Sequence, residues 1–309
     1  MAEFKWNGKN GANLEGTEDA DWLRLDGCYD CKVFGYGGDD TVRITDCSYT
    51  ILYAGDGDND IDWKGSKYCS ISSGAGNDTI NVWLYGGTGY HILCGAGNDS
   101  VWGCDGIDYI YGGADNDSLD GDANNDYIYG EAGDDIIWGG DEYGDDHLYG
   151  GAGNDTILAG NGDDWIWGDA DDLDVSMHGV DILYGDTGND SILGGAGDDS
   201  LGGGSGADVI YGGAGNDSLW GTYGDYDDGD MDIYVFFAGD GPQVDVIMDF
   251  ESGCDGIWVP DAAFTKAEIH GDDLWAYVGD DRGVIIKNAV GKELKYFDAS
   301  CTEIKTCKL

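Results

Sequence analysis

Along the middle of the chain one large aliphatic residue recurs every nine positions, and the residues between these are mostly Gly, Asn and Asp. From Cys94 to Trp220 successive units read CGAGNDSVW, GCDGIDYIY, GGADNDSLD, GDANNDYIY and GEAGDDIIW, and later GGAGNDTIL, GDTGNDSIL, GGAGDDSLG and GGAGNDSLW. Two units are stretched, one by Glu142-Tyr143 and one by most of Asp169 to His178. Six residues rich in Gly, Asn and Asp predict a tight turn in which several positions take positive φ. The three that follow predict a short strand whose middle residue points inward. Two units then make one coil with a turn at each edge. Stacked coils predict two parallel sheets, one lined by Val101, Leu119, Ile137, Ile157, Leu201 and Leu219, the other by Ile110, Ile128, Leu148, Ile166, Ile192 and Ile210.

Upstream the period lengthens to 19, as Leu23, Val42, Ile61 and Ile80 show. Each of these coils keeps one motif-like turn, around Asp40, around Asp60 (or Asn59) and around Asp78. The other half-coil carries Val33, Ile51 and Ile71 without a clear motif, so that edge is not expected to bind metal. The expected fold is all-β, a parallel β-roll or β-solenoid of about eleven coils with a C-terminal β cap. Its parts are an N-terminal arm (1–15), degenerate 19-residue coils (16–93), regular coils (94–235) and the cap (236–309). Strands are expected in the cap at Gly256–Val259, Leu274–Val278, Val284–Lys287 and Leu294–Phe297.

Charge adds a constraint that periodicity does not. The 309 residues include 63 Asp and Glu against 14 Lys and Arg, a formal charge of −49. Such a chain will not hold nucleic acid through its phosphates or lie on an anionic membrane. No apolar run reaches the length of a membrane-spanning helix. With 57 Gly, disorder is the first thought, but 11 Trp, 20 Tyr and 7 Phe argue for a packed chain. A partner must neutralise the carboxylates for it to compact.

Asp at the sixth motif position suggests that partner. Carboxylates and carbonyls are hard oxygen ligands that suit Ca²⁺, and stacking brings each such Asp beside the next. One edge carries Asp40, Asp60 (or Asn59), Asp78, Asp99, Asp117, Asp135, Asp155, Asp181, Asp199 and Asp217, with Asp21 as either a ligand or a turn cap. The other carries Asp108, Asp126, Asp146, Asp164, Asp190 and Asp208. Up to roughly fifteen Ca²⁺ are expected, with weak sites and folding coupled to binding.

The recurring G-G-x-G-x-D-x-U-x pattern resembles the RTX family, the hemolysin-type calcium-binding β-rolls of secreted bacterial toxins, proteases and adhesins. The resemblance spans roughly residues 16–235 and is strongest over 94–220. It implies calcium shared between turns, and export by type I secretion with a signal in the C-terminal segment. An N-terminus without an apolar segment agrees with that route. The expected location is extracellular or at the cell surface, without membrane insertion. The nine Cys fit the resemblance poorly. Cys28 and Cys47, one repeat apart, and Cys301 and Cys307 are candidate pairs.

No HExxH or GxSxG occurs, and the Asp pairs that could act on a polysaccharide are the expected metal ligands, so no enzyme is expected. Sorting units by parity shows a stripe beside the second core column: Tyr109/Tyr111, Tyr127/Tyr129, His147/Tyr149, Trp165/Trp167 and, farther on, Tyr211. Aromatics pair across strands in ordinary sheets, and they also mark interfaces. The preferred expectation is a structural, self-assembling protein of an extracellular filament, surface layer or matrix. The alternative is an adhesin or carbohydrate-binding module, with a polysaccharide-acting β-helix enzyme a distant third.

Overall fold

The computed structural model describes residues 2–7, 10–65, 67–83, 89–169, 178–222, 230–237, 243–250, 254–259, 266–277, 283–289, 293–298 and 305–308. Among these every regular element is a strand, and no helix is long and apolar enough to cross a membrane. The chain is an all-β parallel solenoid of about 12 turns, one more than the repeat count suggested. It divides into two compact units, Met1–Gly151 and Ala152–Leu309.

In the first unit one sheet runs Ala2–Asn7, Asp21–Asp26, Thr41–Thr45, Asp60–Lys64, Thr79–Trp83, Ser100–Asp105, Ser118–Ala123 and Ile136–Tyr143. The other runs Asn13–Glu15, Lys32–Phe34, Ile51–Tyr53, Ser70–Ala75, His91–Ala96, Tyr109–Ala114, Tyr127–Ala132 and His147–Ala152. Strands Ala2–Asn7 and Asn13–Glu15 therefore join the two sheets ahead of the first repeat: Phe4 pairs in register with Leu23, and Leu14 with Val33. An N-terminal arm was expected there. Its residues keep the inward alternation that lets them pair.

Two core columns form because parallel pairing in register stacks like on like. Leu23, Val42, Ile61, Ile80, Val101, Leu119 and Ile137 make one. Leu14, Val33, Leu52, Ile71, Ile92, Ile110 and Ile128 make the other. All are buried, each stabilising the fold by about 1.5–3 kcal/mol. Leu52 takes the inward place that the sequence assigned to Ile51. In a strand a slip of one residue exchanges core for surface. At the second edge the 19-residue turns bend through the left-handed residues Asp30, Tyr49 and Tyr68, with φ of 57°, 53° and 55°.

Strands of the regular turns run on through the paired glycines, as in Tyr109–Ala114. The second position needs a positive φ, which Asp122, Glu131 and Asp186 reach at 73–76° and glycine takes more widely. Gly113 sits at φ 119°, and a Cβ there would overlap the carbonyl of Gly95 one turn earlier.

The second unit repeats the plan. One sheet begins Thr156–Asn161, Ile182–Thr187, Ser200–Ser205 and Ser218–Trp220, the other Trp165–Asp169, Ser191–Ala196 and Val209–Ala214. Parallel winding continues into the C-terminal segment through Ile233–Val235, Val244–Ile247, Gly256–Val259, Gly283–Ile286 and Glu293–Asp298. Antiparallel strands Asp273–Tyr277, Lys266–His270 and Lys305–Lys308 then close the two sheets.

Candidate metal centre

At the turns the sixth-position residues form hydrogen-bonded ladders. In the first unit each backbone N–H donates to Oδ1 of the next: Asp21 to Asp40, Asp40 to Asn59, Asn59 to Asp78, Asp78 to Asp99, Asp99 to Asp117 and Asp117 to Asp135, at 2.7–3.1 Å. On the second edge Asp108 donates to Asp126 and Asp126 to Asp146. In the second unit the runs are Asp155, Asp181, Asp199, Asp217 and Asp245, and Asp164, Asp190, Asp208, Asp232 and Asp255. Oδ1 of each acceptor is thereby satisfied by backbone.

The other oxygen is not. Oδ2 of Asp40, Asp78, Asp99, Asp117, Asp126, Asp181, Asp190 and Asp199 is buried without a hydrogen-bond partner. A buried polar atom left this way costs about 1–3 kcal/mol, more if charged. Around these oxygens lie acceptors. A Cβ at Gly112 would meet both Oδ2 of Asp117 and the carbonyl oxygen of Gly130. The same cradle recurs at Gly121 (Asp126, Gly139), Gly185 (Asp190, Gly203) and Gly194 (Asp199, Gly212). The glycine at the first motif position keeps this space open.

Oxygens crowded together out of water hold their protons. Desolvation, with help from neighbouring carboxylates, pushes Asp117, Asp190 and Asp199 up to about 8, although each accepts a backbone N–H that opposes the shift. Asp126 is pushed up to about 10, Asp99 and Asp181 to about 7, and Asp40, Asp108, Asp135 and Asp146 to about 6. Among the described residues no three His, Cys, Asp or Glu side chains converge on one point. The donor set is carboxylate oxygen with backbone carbonyls, which suits a hard cation such as Ca²⁺.

Asn59 outlines the space. It holds the ladder place that the sequence left between Asn59 and Asp60. Its Nδ2 donates to the carbonyls of Gly57 (2.9 Å), Gly55 (3.1 Å) and Ser73 (3.4 Å). An N–H group here marks where three carbonyls converge within one turn and from the next. Asp60 is corrected as a candidate ligand. It is the first strand residue after the turn, its side chain 51% exposed, and its Oδ2 lies 2.8 Å from Arg43.

Residues 95–128, 114–143, 142–172, 179–210 and 202–225 match the family profile of the RTX calcium-binding nonapeptide repeat. Residues 95–225 are RTX calcium-binding repeats. Among solved structures the chain is similar to a subunit of the Azotobacter vinelandii mannuronan C5-epimerase, at 23% identity over 48% of this chain and 72% of that one, with a TM-score of 0.20. It is also similar to an extracellular lipase of Serratia marcescens, at 18% identity over 65% of this chain and 43% of that one, again with a TM-score of 0.20. No curated protein matches.

In the RTX turns the residues fit calcium. Oδ2 of Asp117 and the carbonyl of Gly130 would hold it, and equivalent atoms would do so in the turns of Asp99, Asp126, Asp181, Asp190 and Asp199. A bound ion supplies the positive charge that joins oxygens of adjoining turns. Asp40, Asp78, Asp99, Asp108, Asp117, Asp126, Asp135, Asp146, Asp155, Asp164, Asp181, Asp190, Asp199, Asp208 and Asp217 are all buried on ladders. Asp21 is a turn cap: Thr17 donates to its Oδ2 from both N–H (2.7 Å) and hydroxyl (2.8 Å).

Sequence reasoning missed two features. Asp232, Asp245 and Asp255 continue the ladders; Asp232 and Asp255 stand directly before short apolar strands as the RTX Asp does, and Asp245 lies within Val244–Ile247. The fifth motif position builds an outer ladder of its own, in which Asn98 donates to Asn77, Asn116 to Asn98 and Asp134 to Asn116. The recurrence of Asn or Asp there was the available signal.

The aromatic stripe is two files of stacked rings in the first unit. Tyr109, Tyr127 and His147 form one, Tyr111, Tyr129 and Tyr149 the other, with centroids 4.6–4.9 Å apart and planes within 3–6°. In-register pairing sets that spacing. Rings cover one another's faces, so edges and hydroxyls meet solvent. In the second unit Trp165 and Trp167 tilt against each other at 5.5 Å, and Tyr211 meets Phe237 edge-on. The Cys28 N–H donates to Sγ of Cys47, one turn along, at 3.3 Å, and no disulfide joins the two. Cys301 lies outside the described residues.

Proposed function

We propose that this chain is a secreted RTX β-roll that calcium folds and that serves as a structural, self-assembling element of an extracellular filament, surface layer or matrix. The observation that carries the reading is the row of buried Asp Oδ2 atoms facing carbonyls without a donor. Cytosolic calcium is too dilute for sites of the extracellular class, with Kd on the order of 10⁻⁴–10⁻³ M, so the RTX turns would form only after export. Type I secretion with a C-terminal signal suits a chain that folds outside. No catalytic step is part of this reading.

Self-assembly draws support from the ring files. A surface that repeats every 4.6–4.9 Å in edges and hydroxyls is matched most closely by a second surface of the same period, which another copy of this chain supplies. Electron microscopy of the protein in millimolar calcium should show ordered assemblies that a Tyr109→Ser, Tyr127→Ser, Tyr129→Ser variant lacks while still folding. Single monodisperse particles of the parent protein under the same conditions would rule the assembly role out.

A second reading, a carbohydrate-binding module, is favoured by one cavity on the opposite sheet of the first unit. It measures about 270 Å³ and is lined by Asn81, Trp83, Trp102, Asp120 and Asp122. Trp102 stands in register between Asn81 and Asp120. Trp83 and Trp102 are 56% and 48% exposed, so their indole faces remain open to a sugar ring, whereas the tyrosine files hide theirs. The acidic rim disfavours anionic glycans. Retention on an insoluble neutral glycan that Trp102→Ala abolishes would establish this reading. Equal behaviour of parent and variant would remove it.

A further inference from the structure

The turns upstream of the RTX repeats meet the same problem without a cation. On the second edge, the N–H of Ile51 donates to the carbonyl of Cys31, that of Ser70 to Thr50, that of His91 to Cys69 and that of Tyr109 to Tyr90. The N–H of Tyr127 donates to Asp108 and that of His147 to Asp126 in the same way. Cys31, Thr50, Cys69 and Tyr90 therefore hold the places that Asp108, Asp126 and Asp146 hold farther along. Three of them reach the carbonyl two residues back. Sγ of Cys31 reaches Tyr29 at 3.6 Å, Oγ1 of Thr50 reaches Ser48 at 3.3 Å, and Sγ of Cys69 reaches Lys67 at 3.3 Å.

Asn59 does the same on the first edge, with Nδ2 at 2.9 Å from the Gly57 carbonyl. Cys47, at a neighbouring turn position, places Sγ 3.3 Å from the Thr45 carbonyl. In an RTX turn the Asp Oδ2 lies beside a carbonyl of the next turn, as Asp117 beside Gly130, acceptor against acceptor, where a positive ion is needed between them. Asn59 meets the corresponding carbonyl, that of Ser73, with its N–H. The upstream turns present an N–H, O–H or S–H. Asp40 and Asp78 keep carboxylates, but each adjoins Asn59 in the ladder.

We infer that the turns within residues 10–93 close on side-chain proton donors in place of calcium, and that this segment folds in calcium-free solution as the template on which the RTX turns wind. Its last strands, Thr79–Trp83 and Ser70–Ala75, are the ones that pair with Ser100–Asp105 and His91–Ala96. The division also accounts for the cysteines. A thiol is a weak donor that tolerates burial, and burial pushes the Cys69 thiol up to about 11, so it keeps its proton. The inference rests on the calcium reading of the RTX turns, and its test separates the two.

Hydrogen–deuterium exchange of the full chain, read peptide by peptide in chelator near neutral pH, should show residues 21–83 exchanging at least about tenfold more slowly than 109–222. Calcium should then protect 109–222. Asn59→Asp should lose the upstream protection in chelator by about tenfold or more, regain it in calcium, and bind one additional ion by native mass spectrometry. Thr50→Val, which removes a donor without adding a carboxylate, should lose protection in chelator with no calcium rescue. Uniform rapid exchange of the parent in chelator, or an Asn59→Asp protein indistinguishable from it, overturns the inference. If calcium left 109–222 unprotected, the calcium reading itself would fall.

Discussion

In chelator the RTX turns should be unfolded at pH about 8 and should regain their β-sheet circular dichroism at pH about 5, so that acid partly replaces calcium. The direction follows from proton counting. Burial pushes Asp117, Asp190 and Asp199 up to about 8 and Asp126 up to about 10 in the fold, against an ordinary carboxyl value of 3.8. Between those limits the folded chain binds more protons than the unfolded one, so stability falls as pH rises through the window. Below about pH 4 both states are protonated and the term is constant.

Calcium reverses the balance by favouring the deprotonated carboxylates, so binding releases protons and weakens on acidification. Ordinary proteins lose stability in acid, which makes the sign diagnostic. Added salt separates local from general repulsion, because at 0.1 M surface charges are screened beyond about 10 Å while buried ones are screened less. Chelated spectra that coincide at the two pH values would show that the ladder carboxylates are not what opposes folding.

Gly113→Ala should be among the most damaging single substitutions outside the ladders, costing about 3 kcal/mol or more even in saturating calcium. Two costs combine. The residue sits at φ 119°, where a side chain is strained by about 1–3 kcal/mol. Its Cβ would also overlap the Gly95 carbonyl, so the strand must shift toward the φ of 73–76° at which Asp122, Glu131 and Asp186 fill the same motif position. Overpacking adds about 1–3 kcal/mol. Against a typical total of about 5–15 kcal/mol this is a large fraction. Gly27→Ala is the control. It also has positive φ, 61°, but nothing lies within 4 Å of its Cβ, so it should cost about 1 kcal/mol. Thermal melts in calcium compare the two. Equal shifts would mean that close approach of successive turns is not what glycine provides.

Where the nine-residue phase is intact, counting alone places every side chain. Val101, Ile110 and Leu119 lie inward, and Asp99, Asp108 and Asp117 stand on ladders, as the repeat implies. The 19-residue turns lack that phase marker. One residue of uncertainty there separates Ile51 from Leu52 and Asp60 from Asn59, and in a strand one residue is the difference between solvent and interior. The neutral donors were illegible for a different reason. Cys, Thr and Asn share no sequence signature, and only the backbone brings them to one place. In the C-terminal segment Val244–Ile247 and Gly256–Val259 keep the solenoid's parallel pairing without the nine-residue motif, so pairing there was not legible from the repeat.

The stacked tyrosines have a spectroscopic consequence. Phenol rings held nearly parallel and less than 5 Å apart have electronic transitions close enough to couple, and the coupled signal exists only while neighbouring strands are in register. Near-ultraviolet circular dichroism reports such fixed side-chain packing, whereas far-ultraviolet signals report backbone alone. The first unit thus carries a built-in optical gauge. Its tyrosine band would follow the ordering of residues 109–149 in real time, without a dye or a label.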